Sequence, residues 1–71
     1  MKKRIQIEGM SCMHCVKHVT NALNDVQGVS NVVVNLKQND AVIEVTDTVL
    51  NNVLVEAIAE AGYKAVKVEQ I

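Results

Sequence analysis

The apolar residues of this chain switch between two periodicities along its length, and the order of those switches leaves few folds open. Lys3 to Glu8 alternates polar and apolar side chains, so Ile5 and Ile7 share one buried strand face before Gly9 interrupts. From about Met13 to Asp25 the repeat becomes helical. Val16, Val19, Leu23 and Val26 fall on one stripe, with Lys17, Asn21 and Asn24 on the wet side, and Gly28 punctuates the exit. Val29 to Leu36 is rich in β-branched residues, Lys37-Gln38-Asn39-Asp40 has turn chemistry, and Ala41 to Thr46 alternates again, which predicts a hairpin. A second helix follows, capped by Asp47 or Thr48. Its apolar face is Leu50, Val53, Leu54, Ala57, Ile58 and Ala61, and Gly62 stops it. Tyr63 to Glu69 reads as a last strand, with Tyr63, Ala65 and Lys67 on one side and Val66 and Val68 on the other.

Strand, helix, strand, strand, helix, strand amounts to two split βαβ units. The expected fold is therefore α+β, a ferredoxin-like βαββαβ sandwich. Its four-stranded antiparallel sheet carries both helices on one face, which buries every apolar stripe. A chain of 71 residues fits one domain, residues 1–71. Such a chain buries only about 60% of the surface its unfolded form exposes, so a large enclosed active site is not expected. Tyr63 is the only aromatic residue, which makes the core aliphatic.

Seven Lys and Arg against eight Asp and Glu give a net charge of −1, which is not the footprint of a nucleic-acid binder or of a polybasic membrane patch. No apolar run approaches the roughly 18 residues that span a bilayer, so direct membrane insertion is not expected. The start, Met1-Lys2-Lys3-Arg4, leads into strand alternation instead of a secretory apolar segment. A cytoplasmic location follows as an expectation, and a chain that begins at Met1 and ends soon after its last strand fits an independent protein. Two cysteines in one CxxC do not make a disulfide framework; in a reducing compartment they favour a metal or redox site.

That CxxC lies in Gly9-Met10-Ser11-Cys12-Met13-His14-Cys15, where the first strand gives way to the first helix. Unpaired N–H groups and the positive end of the macrodipole gather at a helix start, and a cysteine there is more readily a thiolate. Two thiolates facing one point select soft ions such as Cu(I) or Zn(II) over Mg or Ca. Zinc asks for four ligands, or three in catalytic sites, whereas Cys12 and Cys15 alone suffice for two-coordinate Cu(I). His18, three residues after Cys15, keeps open a Cys-Cys-His zinc site beside its reading as a solvated helix residue. His14 sits between the two cysteines on a tight turn, which turns its ring outwards and suits it to tuning the thiols. Met10 reads as packing, and Met13 as facing solvent or a partner. Lys17 and Lys64 fall near the same end, where they are either ordinary solvated charges or a patch that steers an acidic partner.

GMSCMHC followed by an apolar helix resembles the heavy-metal-associated domain family, which includes cytosolic copper chaperones and amino-terminal domains of copper-transporting P-type ATPases. Ala57-Ile58 and Gly62-Tyr63 extend the resemblance to the second helix and last strand. The resemblance implies that Cys12 and Cys15 are the metal ligands, that Met10 is a buried support for the loop, and that Tyr63 lies close to it. Ser11 is like the copper members, since zinc- and cadmium-handling ones often carry an acid there. His14 is similar to what Gram-positive copper chaperones have. The expected function is a copper chaperone that passes Cu(I) by thiolate exchange to the metal-binding domain of a copper-transporting ATPase. It breaks no substrate bond and is not an enzyme; a copper-bridged homodimer is a further expectation. The rival readings are a metal-binding domain cut from such an ATPase, and a thiol–disulfide oxidoreductase. The latter family typically has Trp before and Pro within its motif, and this chain contains neither.

Overall fold

Glycine or a polar turn separates most of the elements that the periodicities mark out. The computed structural model describes residues 1–71 as β1 (Lys2–Glu8), α1 (Met13–Asn24), β2 (Val29–Asn35), β3 (Asp40–Val45), α2 (Asn51–Glu60) and β4 (Lys64–Gln70). The strands form one sheet in the order β2-β3-β1-β4, every neighbouring pair antiparallel. Helix α1 packs against β2, α2 against β4, and the helices against each other, completing the ferredoxin-like sandwich.

The core is aliphatic, as the composition requires. Ile5 and Ile7 of β1 and Ala41, Ile43 and Val45 of β3 meet Val19 and Leu23 of α1 and Leu54 and Ile58 of α2. Two more core residues come from the strand–helix junctions: Met10 ahead of α1 and Val49 ahead of α2. Each large aliphatic side chain removed from water contributes roughly 1.5–3 kcal/mol, so in so small a core the junction residues matter as much as those of the elements.

Three expectations are corrected. Neither Asp47 nor Thr48 caps α2. The N-cap is Leu50, in extended conformation (φ −86°, ψ 150°) and without a side-chain cap bond, while the Thr48 hydroxyl pairs with that of Thr46 at 2.8 Å. Since Leu50 precedes the helix, it leaves the predicted stripe and is 61% exposed, and Val49 fills the core in its place. Val53 is also on the exposed side, 39% accessible, because the ten-residue helix turns Leu54 and Ile58 inward. In β4 the predicted alternation breaks. Gln6 pairs with Lys67 but Ile7 pairs with Ala65, leaving Val66 as an extra residue. This bulge turns Ala65 and Val68 to the core together, and Val66, expected beside Val68, faces solvent. A second bulge interrupts β2 between Ser30 and Val33, where Asn31 adopts φ +51°.

Candidate metal centre

The loop from β1 to α1 is held by one inward side chain and one permissive backbone. Gly9 has φ +101°, and a Cβ there would stand 3.4 Å from Cδ1 of Tyr63, so the tyrosine ring lies directly over the loop. Met10 then turns into the core, only 7% exposed, and anchors the chain from below. With Met10 pointing in, Ser11, Cys12, Met13 and His14 are all left exposed.

Cys12 is the N-cap of α1, with extended backbone (φ −156°, ψ 174°) and no side-chain cap bond. Its carbonyl accepts the N–H groups of Cys15 at 3.1 Å and Val16 at 3.3 Å, which closes the first helical turn. That turn brings the two Sγ atoms to 3.6 Å, both as free thiols, Cys12 exposed and Cys15 half-buried.

The surroundings favour thiolate at Cys15, whose pKa is lowered from 9.0 to about 6. A hydrogen bond from the Ser11 backbone N–H is the main cause, followed by the Tyr63 hydroxyl; burial opposes both, and Cys12 adds smaller stabilising contacts. No acidic residue occupies the first turn of α1 to oppose a negative sulfur there. Tyr63 responds in the opposite sense, its pKa raised because its hydroxyl proton is engaged with Cys15.

Tyr63 reaches the sulfurs because of the way α2 ends. Gly62, at φ +95°, donates its N–H to Ala59 and Tyr63 donates to Ile58, a Schellman arrangement that reverses the chain straight after the helix. The Tyr63 hydroxyl also meets Nδ1 of His18 at 3.4 Å. The His14 side chain, by contrast, is exposed and has no hydrogen-bond partner. No third Cys, His, Asp or Glu joins the sulfurs in a cluster that could close around a metal ion. The Cys-Cys-His arrangement left open by spacing is therefore not assembled, since the His18 ring is turned towards Tyr63.

Two surface concavities lie elsewhere, and neither is lined by a cysteine. One, of about 440 Å³, runs between the helices beside His18, Asn21, Ala57 and Glu60. The other is bordered by Gly28, Thr46 and Val49. The thiol pair thus sits on an open rim instead of in a pocket. No helix is long and apolar enough to cross a membrane.

Residues 4–64 match the pattern of the heavy-metal-associated domain. The chain belongs to the heavy-metal-associated domain family. Among its relatives, a copper chaperone named CopZ from Staphylococcus epidermidis is 44% identical over 63 residues, 87% of this chain and 93% of the relative. A mercuric reductase from Lysinibacillus sphaericus is 34% identical over 99% of this chain, but the match takes in only 13% of the reductase. Among solved structures, the Cu(I)-loaded N-terminal domain of a potential copper-translocating P-type ATPase from Bacillus subtilis has a TM-score of 0.82 at 29% identity. The match covers 99% of this chain and 91% of that one. The matches thus include a relative of nearly the same length, a small part of a mercuric reductase and the N-terminal domain of a potential copper-translocating ATPase.

Two features of the site escaped the sequence reading. The Ser11 backbone N–H is a principal support of the Cys15 thiolate, a role the i, i+4 spacing at a helix start could have suggested. The His18 contact with Tyr63 spans 45 residues of sequence, and no local pattern signals it.

Proposed function

We propose that this protein is a cytoplasmic copper chaperone that binds Cu(I) through Cys12 and Cys15 and hands it to a metal-binding domain of a copper-transporting P-type ATPase. The carrying observation is the thiol pair itself: two exposed-rim sulfurs 3.6 Å apart with no further ligand gathered around them. Residues 1–71 act as one domain. Met10 supports the loop from the core, the Ser11 N–H and Tyr63 hydroxyl stabilise sulfur charge, and His14 tunes the exposed side of the turn.

Openness favours exchange over storage. Cys12 is exposed on the rim and no third ligand of the chain gathers around the sulfurs, so a partner's thiolate has room to supply one. An incoming domain can therefore share the ion before this one releases it, with Lys17 and Lys64 steering an acidic partner. The same open coordination allows a copper-bridged homodimer. No substrate bond is cleaved, so the activity is transfer and not catalysis. The likeness to an ATPase domain also supports the reading that this fold receives the ion within a pump. Transfer assays run in both directions separate donor from acceptor.

The test is an anaerobic competition titration of the reduced protein with Cu(I) and Zn(II) against calibrated chelators. One tightly held Cu(I) per chain, with zinc far weaker, is the expected result. Tighter zinc binding, or turnover of a disulfide substrate without tight metal binding, would replace the chaperone with a zinc-handling or redox protein. Loss of all binding in His14→Ala would make His14 a ligand and overturn the two-thiolate site.

A further inference from the structure

Both histidines of the chain lie on α1, one helical turn apart. His14 and His18 occupy positions i and i+4 within Met13–Asn24, so their Cβ atoms stand about 5–6 Å from each other on one face of the helix. Both side chains are exposed. Cys15 directly follows His14, and adjacent positions on a helix do not face each other; its sulfur meets Cys12 at 3.6 Å instead. Of the two rings, His18 is held. Its Nδ1 meets the Tyr63 hydroxyl at 3.4 Å, and Tyr63 is itself set by the chain reversal after α2. With Nδ1 engaged, Nε2 is the nitrogen left to bind an ion. Histidines that ligate metals carry such a partner on their other ring nitrogen, which fixes both ring and tautomer. His14 has no hydrogen-bond partner to hold it away from the same point. The nearby charge suits a cation, since Asp25 and Glu60 border the groove that His18 lines and neither is in an ion pair.

We propose that His14 and His18 form a second metal site, separate from the thiol pair, that takes one divalent first-row ion through two imidazole nitrogens. Imidazole suits ions such as Zn(II) and Ni(II), whereas Mg(II) and Ca(II) prefer oxygen ligands. No group of three His, Cys, Asp or Glu is gathered here, so water completes the coordination and the ion is held less tightly than in a closed site. Tyr63 is a positioning residue for this site and acts through His18. The inference goes beyond the Cu(I)-carrying role and does not depend on it, because neither sulfur is among the ligands.

Ni(II) is the probe, titrated calorimetrically into two proteins under anaerobic conditions. One is the unsubstituted chain with its thiols already filled by Cu(I); the other carries Cys12→Ser and Cys15→Ser together. Each should bind one Ni(II), and Mg(II) should give no heat in either. Loss of a ligand should cost at least as much as loss of a ligand's supporting partner, so His14→Ala and His18→Ala should each weaken Ni(II) binding by about tenfold or more. Tyr63→Phe should weaken it by less than either. In ¹H NMR the paramagnetic ion should broaden the ring signals of both histidines before any others. Ni(II) affinity that survives either histidine substitution, or that disappears with the two cysteines, would overturn the site. Failure of the unsubstituted chain to load Cu(I) would count against the copper reading alone, and the variant without cysteines would still decide the role of the histidines.

Discussion

The two strand–helix junctions of this fold occupy equivalent places in its two βαβ halves, yet they are used in opposite ways. Both helices begin at a residue in extended conformation that makes no side-chain cap bond, Cys12 for α1 and Leu50 for α2, and neither has an acidic residue in its first turn. Both send one side chain into the core from the junction, Met10 in the first and Val49 in the second. At the second junction the cap position is an exposed leucine with no partner. At the first it is one of two sulfurs gathered on the same turn, with Ser11 and Tyr63 placed to hold charge on the other. The common scaffold thus leaves two uncapped helix starts, and only one of them carries a pair of thiols.

The comparison breaks most sharply at the sulfurs. Cys12→Ser or Cys15→Ser should abolish tight Cu(I) binding in the chelator competition, whereas Leu50→Ser should leave affinity unchanged. Full affinity in either cysteine variant would remove that residue from the site.

The glycines that face the two junctions give the next largest effect, read as a shift in urea midpoint. A Cβ on Gly28, at φ +95°, would come within 2.7 Å of both Thr46 Oγ1 and Val49 Cγ2, and Val49 is packed in the core. Gly28→Ala should therefore destabilise by roughly 2–4 kcal/mol. Gly9→Ala meets only the edge of the Tyr63 ring at 3.4 Å, and should cost about 1–2 kcal/mol, mostly for its positive φ. Equal losses would mean that the second junction is no more tightly packed than the first.

A third test sharpens the electrostatic difference. Alkylation of Cys15, followed by mass spectrometry, should reach half its maximal rate near pH 6 instead of near 9, and Tyr63→Phe should move that midpoint upwards. Because folding lowers this pKa, the thiolate's contribution to stability is fully present above the unfolded value near 9. It declines as pH falls and is lost below about 6.

The smallest effect bears on the caps themselves. Serine is a good N-cap and both positions already have extended backbones, so Cys12→Ser and Leu50→Ser should each stabilise the metal-free protein by about 0.5–1 kcal/mol. Only the first should lose metal. A cysteine at the cap would then be a site where binding is kept at the expense of helix stability.

Most of the architecture was legible because the two periodicities are strong and the glycines fall at element ends. Ile5 and Ile7, Val19 and Leu23, and Leu54 and Ile58 all face inward, as their spacing requires. The failures are local. Val66 could not be assigned because a bulge adds one residue without leaving a mark in the apolar pattern. Asp47 and Thr48 are good capping residues that the chain passes by, since burial of Val49 sets where α2 begins. At the candidate site the CxxC and its place at a helix start were readable. Tyr63 was placed near the loop only through family resemblance, and the Tyr63 to His18 contact depends on the packing of α1 against α2, the helix whose end Tyr63 follows.

The two bulges have a consequence for how this protein behaves in company. Strands β2 and β4 are the sheet's outer strands, and each carries its irregularity within its length, at Asn31 and Val66, while the pairing of β1 with β3 between them runs without a shift. The sequence Val29-Ser30-Asn31-Val32-Val33-Val34 would otherwise offer a flat, β-prone margin for another chain to extend. Asn31, in a left-handed conformation, twists that margin out of register with any straight strand laid alongside it. Sheet-to-sheet association is thereby discouraged at both margins.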